Sequence, residues 1–329
     1  MNNEKHSLRR RDALQLLGAL ALSPAAVVAA PGFPEKPIRL ILPFSAGSST
    51  DFLSRLVAEQ LGRQLKQPVI VDNKPGAAGV IGTQMLARSS PDGYTIGLVS
   101  LATLAMVPPT LKDPPYDALR DFAPLSSIAS TDLVLVAGPR AHGKTLAEFI
   151  DWARTQKEPL FLGTLGAGTT GHLTGFLFGQ AAKVKFEPVH FKSFSDLMPA
   201  MISGSVDVTV VAPSQILPFV REGKLRGLAI TGPSRFAALP DVPTFKEAGF
   251  PDMQFTTWLG LAAPARTPTD IVQTLSAEII KVANSPAVRA KLEEGGFRMI
   301  ASTREEFTAT IRKDVATWSE LVKTSGFKV

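Results

Sequence analysis

Three features of this sequence of 329 residues predict an α/β fold in two lobes. Short apolar runs alternate with amphipathic runs through most of the chain, the pattern of repeated β-loop-α units. Gly- and hydroxyl-rich segments stand at several run-to-helix junctions, where parallel sheets keep their ligands. About 300 residues remain once an N-terminal segment is set aside, more than one compact core usually holds.

The N-terminal segment is MNNEKHSLRRRDALQLLGALALSPAAVVAA. A basic start, an apolar middle and a small-residue end make an export signal, with cleavage expected near Ala29 or Ala30. Arg9, Arg10 and Arg11 fit a twin-arginine address, and ordinary Sec export also fits. The reading for residues 1 to 30 is therefore a cleaved signal and a periplasmic mature chain. The competing reading is an uncleaved anchor, which Pro24 and the Ala/Val-rich second half oppose.

The elements follow in order. Ile38 to Leu42 reads as a strand, and Asp51 to Leu65 as a helix with Phe52, Leu53, Leu56, Val57, Leu61 and Leu65 at helical spacing. Val69 to Val71 is a strand, Val80 to Arg88 a helix and Tyr94 to Val99 a strand. A Pro-rich connection, Val107 to Asp117, leads to a strand at Leu133 to Ala137 and a helix at Thr145 to Thr155. Leu160 to Gly163, Lys185 to His190, Val206 to Val211 and Leu228 to Ile230 are further strands with helices between, and the β-loop-α order implies parallel sheets. Trp258 to Ala263 is a last strand. Helices at Pro268 to Ala283, Pro286 to Glu294 and Thr303 to Lys323 follow, the last opened by a capping box, Thr303 with Glu306. Such a helical tail suggests a chain that returns to its first lobe. The expected division is 31–137 with 260–329 in lobe 1, and 138–259 in lobe 2.

The formal charge is +6, and without residues 1 to 30 the balance is 31 basic to 27 acidic, scattered along the chain. No basic stripe suits nucleic acid. Cysteine is absent, which removes thiolate metal sites. No metal and no cofactor are expected.

Gly166 to Gly171, GAGTTG, matches the dinucleotide fingerprint G-x-G-x-x-G between a strand-like run and a helix. The same glycines equally admit any anion to a helix N-terminus. A second such loop, Pro43 to Asp51, is hydroxyl-rich and runs into a helix, but lacks the Gly-Lys-Ser/Thr of a phosphate loop. Ordinary capping by Ser49 or Thr50, with Asp51 complementing the dipole, explains it as well. A third, Asp72 to Gly79, reads as a ligand loop or a plain turn. The histidines are His6, His142, His172 and His190, and no G-x-S-x-G or H-E-x-x-H motif accompanies them. His172 fits a ligand contact or helix packing. The chain is expected not to be an enzyme.

The run PIRLILPFSAGSSTDFLSRLVAEQLGRQLKQPVIVDNKPGAAGVIGTQMLARSSPDGYTI resembles the extracytoplasmic solute receptors of tripartite tricarboxylate transporters, the Bug or TctC family. So do GAGTTGHL, PDVPTFKEAGF and WLGLAAPARTP, in the family's order over almost the whole mature chain. The resemblance implies a periplasmic binding protein of type 2, with two α/β lobes, two chain crossovers and a ligand cleft. It implies a small carboxylate ligand, delivery to one large and one small membrane subunit, and no turnover. A sensor that feeds a signalling partner, or an exported enzyme, would be the alternatives. A monomer is expected.

Residue by residue, the resemblance implies ligand contacts at Phe44, Ala46, Gly47, Ser48, Ser49 and Asp51, and at Gly166, Ala167, Gly168 and Thr169. Gly79 and Ser100 join them, as do Phe191 and Lys192 in a site-lining run and Val211 and Ala212 at a later strand end. Here Phe191 replaces a tyrosine, Ser193 a glycine, and Val211 a position often polar. Loss of an acceptor at 211 argues against an amino acid and for an apolar tail. On this reading GAGTTG cradles a carboxylate, not a pyrophosphate.

Overall fold

The computed structural model describes residues 32 to 327. The export signal expected at 1 to 30 lies outside the described residues. Residues up to Glu35 form a unit of their own, with no helix or strand among those described. All that follows concerns the body that begins at Lys36.

The first half of the body is β1 (Ile38–Leu42), α1 (Ser49–Leu65), β2 (Val69–Asn73), α2 (Val80–Ala87), β3 (Thr95–Ser100) and β4 (Phe122–Thr131). The chain then builds β5 (Val134–Ala137), α3 (Leu146–Thr155), β6 (Leu160–Thr164), α4 (Thr170–Ala182), β7 (Phe186–His190), α5 (Phe194–Ser203), β8 (Val208–Val211), α6 (Pro213–Arg221) and β9 (Arg226–Ile230). It closes with β10 (Thr257–Pro264), α7 (Thr269–Asn284), α8 (Pro286–Glu294), β11 (Arg298–Met299) and α9 (Arg304–Ser325).

Two sheets result, ordered β11-β4-β10-β3-β1-β2 and β7-β6-β8-β5-β9. Each is the centre of one lobe. The β-loop-α units pair in parallel, as β1 with β2 and β3, and β6 with β7 and β8. The sheets are nevertheless mixed, against the all-parallel expectation. β10 runs antiparallel to β3 and β4, and β5 antiparallel to β8 and β9. Each of these two strands is the first after a passage between lobes, so it enters its sheet without a helical crossover to reset its direction.

Sheet membership also moves the lobe limits. β5, expected with lobe 1, pairs in the second sheet, and all of β10 pairs in the first. The passages are the segments between β4 and β5 and between β9 and β10.

β5 shows how the second sheet is covered on both faces. Val134 and Val136 pack among Leu197, Met201 and Ile216, while Leu135 and Ala137 join a cluster with Phe149, Phe178 and Phe245. That is the two-residue alternation of a strand with both sides buried. The tail helix does more than return to lobe 1. Its capping box is formed, with Thr303 N–H donating to Glu306 Oε2 at 2.8 Å and Glu306 N–H to Thr303 Oγ1 at 3.2 Å. Near its middle, Trp258 Nε1 donates to Asp314 at 2.7 Å. Beyond its end, the Phe327 ring sits edge-on to His172 and Phe176 of α4, at 4.9 and 5.0 Å between centroids. One helix thus ties lobe 1 to lobe 2.

Candidate functional site

The candidate residues gather at the carboxyl ends of the parallel strands, in one set per lobe. In lobe 1 the loop after β1 is shaped by Asp51, the third residue of α1. Its carboxylate accepts the Gly47 N–H at 2.9 Å, Arg55 Nε at 3.0 Å and Asn73 Nδ2 at 3.0 Å. Asn73 Nδ2 also donates to the Phe44 carbonyl at 3.1 Å, which ties this loop to the end of β2. Ser48 is the N-cap and its Oγ accepts the Asp51 N–H at 3.2 Å. The N–H groups of Ser49 and Thr50 have no partner among the described residues. They are the orphan donors of a helix start, with the positive end of the dipole behind them. Ala46 and Gly47 are exposed beside them.

Asp51 is therefore not placed as a direct ligand contact. It is 5 % exposed. Burial would raise its carboxyl, yet the bonds from Arg55, Asn73 and the Gly47 N–H hold it below the usual carboxylate range. Arg55 and Asn73 were missed from the sequence; the i, i+4 spacing of Asp51 and Arg55 was a readable signal.

The loop after β2 leans on the first. Gly76, Ala77, Ala78 and Gly79 all have positive φ. A Cβ on Gly79 would meet Thr103 Cγ2 at 2.7 Å and Pro43 Cβ at 3.5 Å, so glycine is required there by space as well as by φ. Ser100, at the end of β3, is 1 % exposed, and its N–H and hydroxyl are exchanged with Thr103 at 3.0 and 3.2 Å. Its side chain faces the interior.

In lobe 2 the loop after β6 holds Gly166 at φ 121° and Gly168 at φ 74°. Thr169 is the N-cap of α4, but its hydroxyl turns back to the Gly166 carbonyl at 2.8 Å. The N–H groups of Thr170, Gly171 and His172 are left without partners among the described residues. Gly171 lies directly on the Val210 carbonyl, where a Cβ would collide, so glycine lets α4 seat against β8. His172 accepts the Gly168 N–H at Nδ1, at 3.1 Å. Ala167 lies between the two positive-φ glycines.

The neighbouring strand ends complete this set. Phe191 N–H donates to the Thr164 carbonyl at 2.8 Å, and its half-buried ring packs on the lobe 2 core. Lys192 is exposed. Ser193 caps α5 through the Asp196 N–H, which accounts for serine in place of glycine. Val211 is 4 % exposed and packs with Leu197, Ile216 and Ile230. Core packing thus explains the valine, and the apolar-tail argument drawn from it loses its basis. Ala212 is buried at the start of α6.

Among the described residues no hydrogen bond joins the two anion loops. The lobes meet instead beside them. A Cβ on Gly296, φ 82°, would meet Ser214 Cβ at 2.9 Å and the Phe236 ring at 3.6 Å. Arg298 of β11 donates to Ser234 Oγ at 3.2 Å and pairs with Asp132 in the first passage. Two surface hollows, of about 440 and 400 Å³, lie at Ala58–Val69 and Pro114–Asp121, away from both loops. The site is defined by its free donors.

Burial pushes His172 down to about 4, and the neighbouring His190 adds repulsion. Between its ordinary value of 6.5 and about 4 the unfolded chain takes up a proton that folded His172 refuses. Stability is therefore expected to fall with pH across this window, by no more than about 3 kcal/mol. His172→Phe should lack that component, which urea titrations at about pH 7 and about pH 4.5 would measure.

Among the described residues no group of acidic or histidine side chains could hold a metal, and no helix is long and apolar enough to cross a membrane. Comparison with known proteins adds the family. Residues 53–327 match the model of the tripartite tricarboxylate transporter family receptor. Protein BugT of Bordetella pertussis is 31% identical over 306 residues, 93% of this chain and 94% of that protein. A UPF0065 protein of Cupriavidus necator is 35% identical over 317 residues, 95% of this chain and 96% of that protein. Among solved structures, the periplasmic binding protein BugD superposes with a TM-score of 0.82 at 27% identity, over 90% of this chain and 99% of that one. MatC of Rhodopseudomonas palustris with bound malate gives 0.81 at 27%, over 88% and 100%. An R. palustris protein with adipate gives 0.82 at 29%, over 89% and 98%.

Proposed function

This chain belongs to the tripartite tricarboxylate transporter receptor family, and we propose that it captures a small dicarboxylate between its lobes in the periplasm and hands it to the large and small membrane subunits of such a transporter. The observation that carries this reading is the pair of unpartnered helix starts, Ser49–Thr50 in lobe 1 and Thr170–His172 in lobe 2. Each offers neutral N–H donors and a helix dipole to an anion. A ligand that contacts both lobes binds the closed form better, so it shifts the population toward closure.

Chemistry narrows the ligand. In the lobe 1 loops Asp51 is held by Arg55 and Asp72 by Arg39. Neither is free to accept an ammonium, which favours acids without an amino group. Malate and adipate, bound by the two R. palustris relatives, are of that kind. Export through the N-terminal segment belongs to the same reading, as does a binder that turns nothing over.

A thermal-shift screen tests it. Malate or adipate is expected to raise the melting temperature by several °C, since a ligand at 100 times its Kd stabilises by about 2.7 kcal/mol. Aspartate, glutamate and NADH should not. A shift with NADH alone would return Gly166–Gly171 to the dinucleotide reading.

A further inference from the structure

Among the described residues six helices begin with a Ser or Thr N-cap, at α1, α3, α4, α5, α8 and α9, and in α8 Ser285 makes no side-chain cap bond and the third residue is the apolar Val288. In four of them the cap hydroxyl accepts the N–H of the third helical residue: Ser48 from Asp51, Thr145 from Glu148, Ser193 from Asp196 and Thr303 from Glu306. In all four that third residue is acidic. At α4 the hydroxyl of Thr169 is turned away and the third residue is His172.

The third residue has a second task. In α1, Asp51 reaches back to the N–H of Gly47, just before the cap. In α3, Glu148 reaches back to the N–H of Lys144, also just before the cap, at 2.7 Å. In α4, His172 makes the same reach to Gly168 through Nδ1. The backbone bond is thus equivalent in both anion loops, but its acceptor differs in charge. At α1 the carboxylate is offset by Arg55 and Asn73. At α4 no cation pairs with the acceptor; its neighbours are the His190 ring, 5.0 Å away, and Phe327. Burial keeps His172 neutral at neutral pH, and acceptance at Nδ1 puts the ring proton on Nε2.

Resting on the carboxylate-receptor reading, we propose that His172 is a positioning residue for ligand capture: an uncharged reach-back acceptor that holds the Gly166–Thr169 loop in place without setting a negative charge beside the bound carboxylate. A Glu or Asp at 172 would hold the loop equally well. It would also repel the ligand at short range, at a loop where, among the described residues, no arginine pairs with the acceptor. Gly168 at positive φ makes the restraint necessary, because an unrestrained glycine pair samples many loop conformations.

Three variants separate the two roles. His172→Gln keeps a neutral acceptor, His172→Glu an isosteric charged one, and His172→Phe the ring without an acceptor. Malate and adipate affinity is read by calorimetry at neutral pH, and exchange of the Gly168 amide by NMR without ligand. His172→Gln is expected to stay within a few-fold of the parent, while Glu and Phe each lose at least about tenfold. Gly168 exchange should rise in Phe and stay low in Gln and Glu. Equal affinity in Gln and Glu, or unchanged Gly168 exchange in Phe, would overturn the proposal. A parent protein that binds neither acid would instead sink the receptor reading's substrate class, and the exchange data would still decide whether His172 holds the loop.

Discussion

Replacing Asp51 with alanine is expected to cost about 2 kcal/mol of stability and to weaken carboxylate binding at least about tenfold. The reason is geometric. One buried carboxylate satisfies the Gly47 N–H, Arg55 and Asn73, and Asn73 in turn holds the Phe44 carbonyl. Arg55, whose side chain is half exposed, will hydrate when the carboxylate is gone; the Gly47 N–H and Asn73 amide lose a partner that shaped the loop. The Ser49 and Thr50 donors then lose their common aim. Asp51→Asn retains one acceptor oxygen and should fall between. The pH dependence has a definite sign. Asp51 is held below its unfolded value of 3.8, so its contribution is in place above that value and lost as pH falls through the folded pKa. The stability gap between parent and Asp51→Ala should narrow there, as denaturant titrations across the acid range will show.

A second large effect is expected where the lobes join. Asp132, in the first passage, pairs with Arg298 and receives Thr256 Oγ1 at 3.3 Å. Gly232, after β9, lies so close to this carboxylate that no Cβ would fit. The pair is lopsided: the Asp132 side chain is 6 % exposed and that of Arg298 is 42 %. Arg298→Met should cost about 3 kcal/mol, because it strands a buried charge. Asp132→Asn should cost only about 1 kcal/mol, because the guanidinium turns to water. Burial already raises the Asp132 carboxyl despite the pull of Arg298. A raised folded value means stability that is present at low pH and lost as pH rises through it. Removing Arg298 raises it further, so the Arg298→Met deficit should shrink on acidification. Equal costs for the two variants at neutral pH would show that the pair is not the strut its burial implies.

The elements that were readable in the sequence are those whose signal is local. Thr303 and Glu306 announced their capping box because both partners lie within one turn. α1 was readable from its apolar stripe, and the three glycine-rich loops from their composition. β4 was not. FAPLSSIAST has neither alternation nor a β-branched run, and its central Ser-Ser pair reads as a loop. It is a strand because β10 and β11 flank it and Ser276 and Ser302 bond to it from helix α7 and from the segment before α9.

Side-chain roles divide the same way. Val211 was a ligand position by family resemblance, but which face it takes depends on what covers the sheet. Ser100 looked available and is sealed against Thr103.

The order of apolar runs, loops and caps along the chain was enough to determine an α/β protein, and runs such as GAGTTGHL and PDVPTFKEAGF were enough to carry the resemblance to its family, since each of these rests on residues close together in sequence. The antiparallel entry of β5 and β10, the sheet each of them joins, the burial of His172 and the Asp132–Arg298 strut were decided only in three dimensions. Each depends on partners far apart in the chain, 166 positions for the strut, and on burial, which sets the energetic weight of a charge and which no local pattern records.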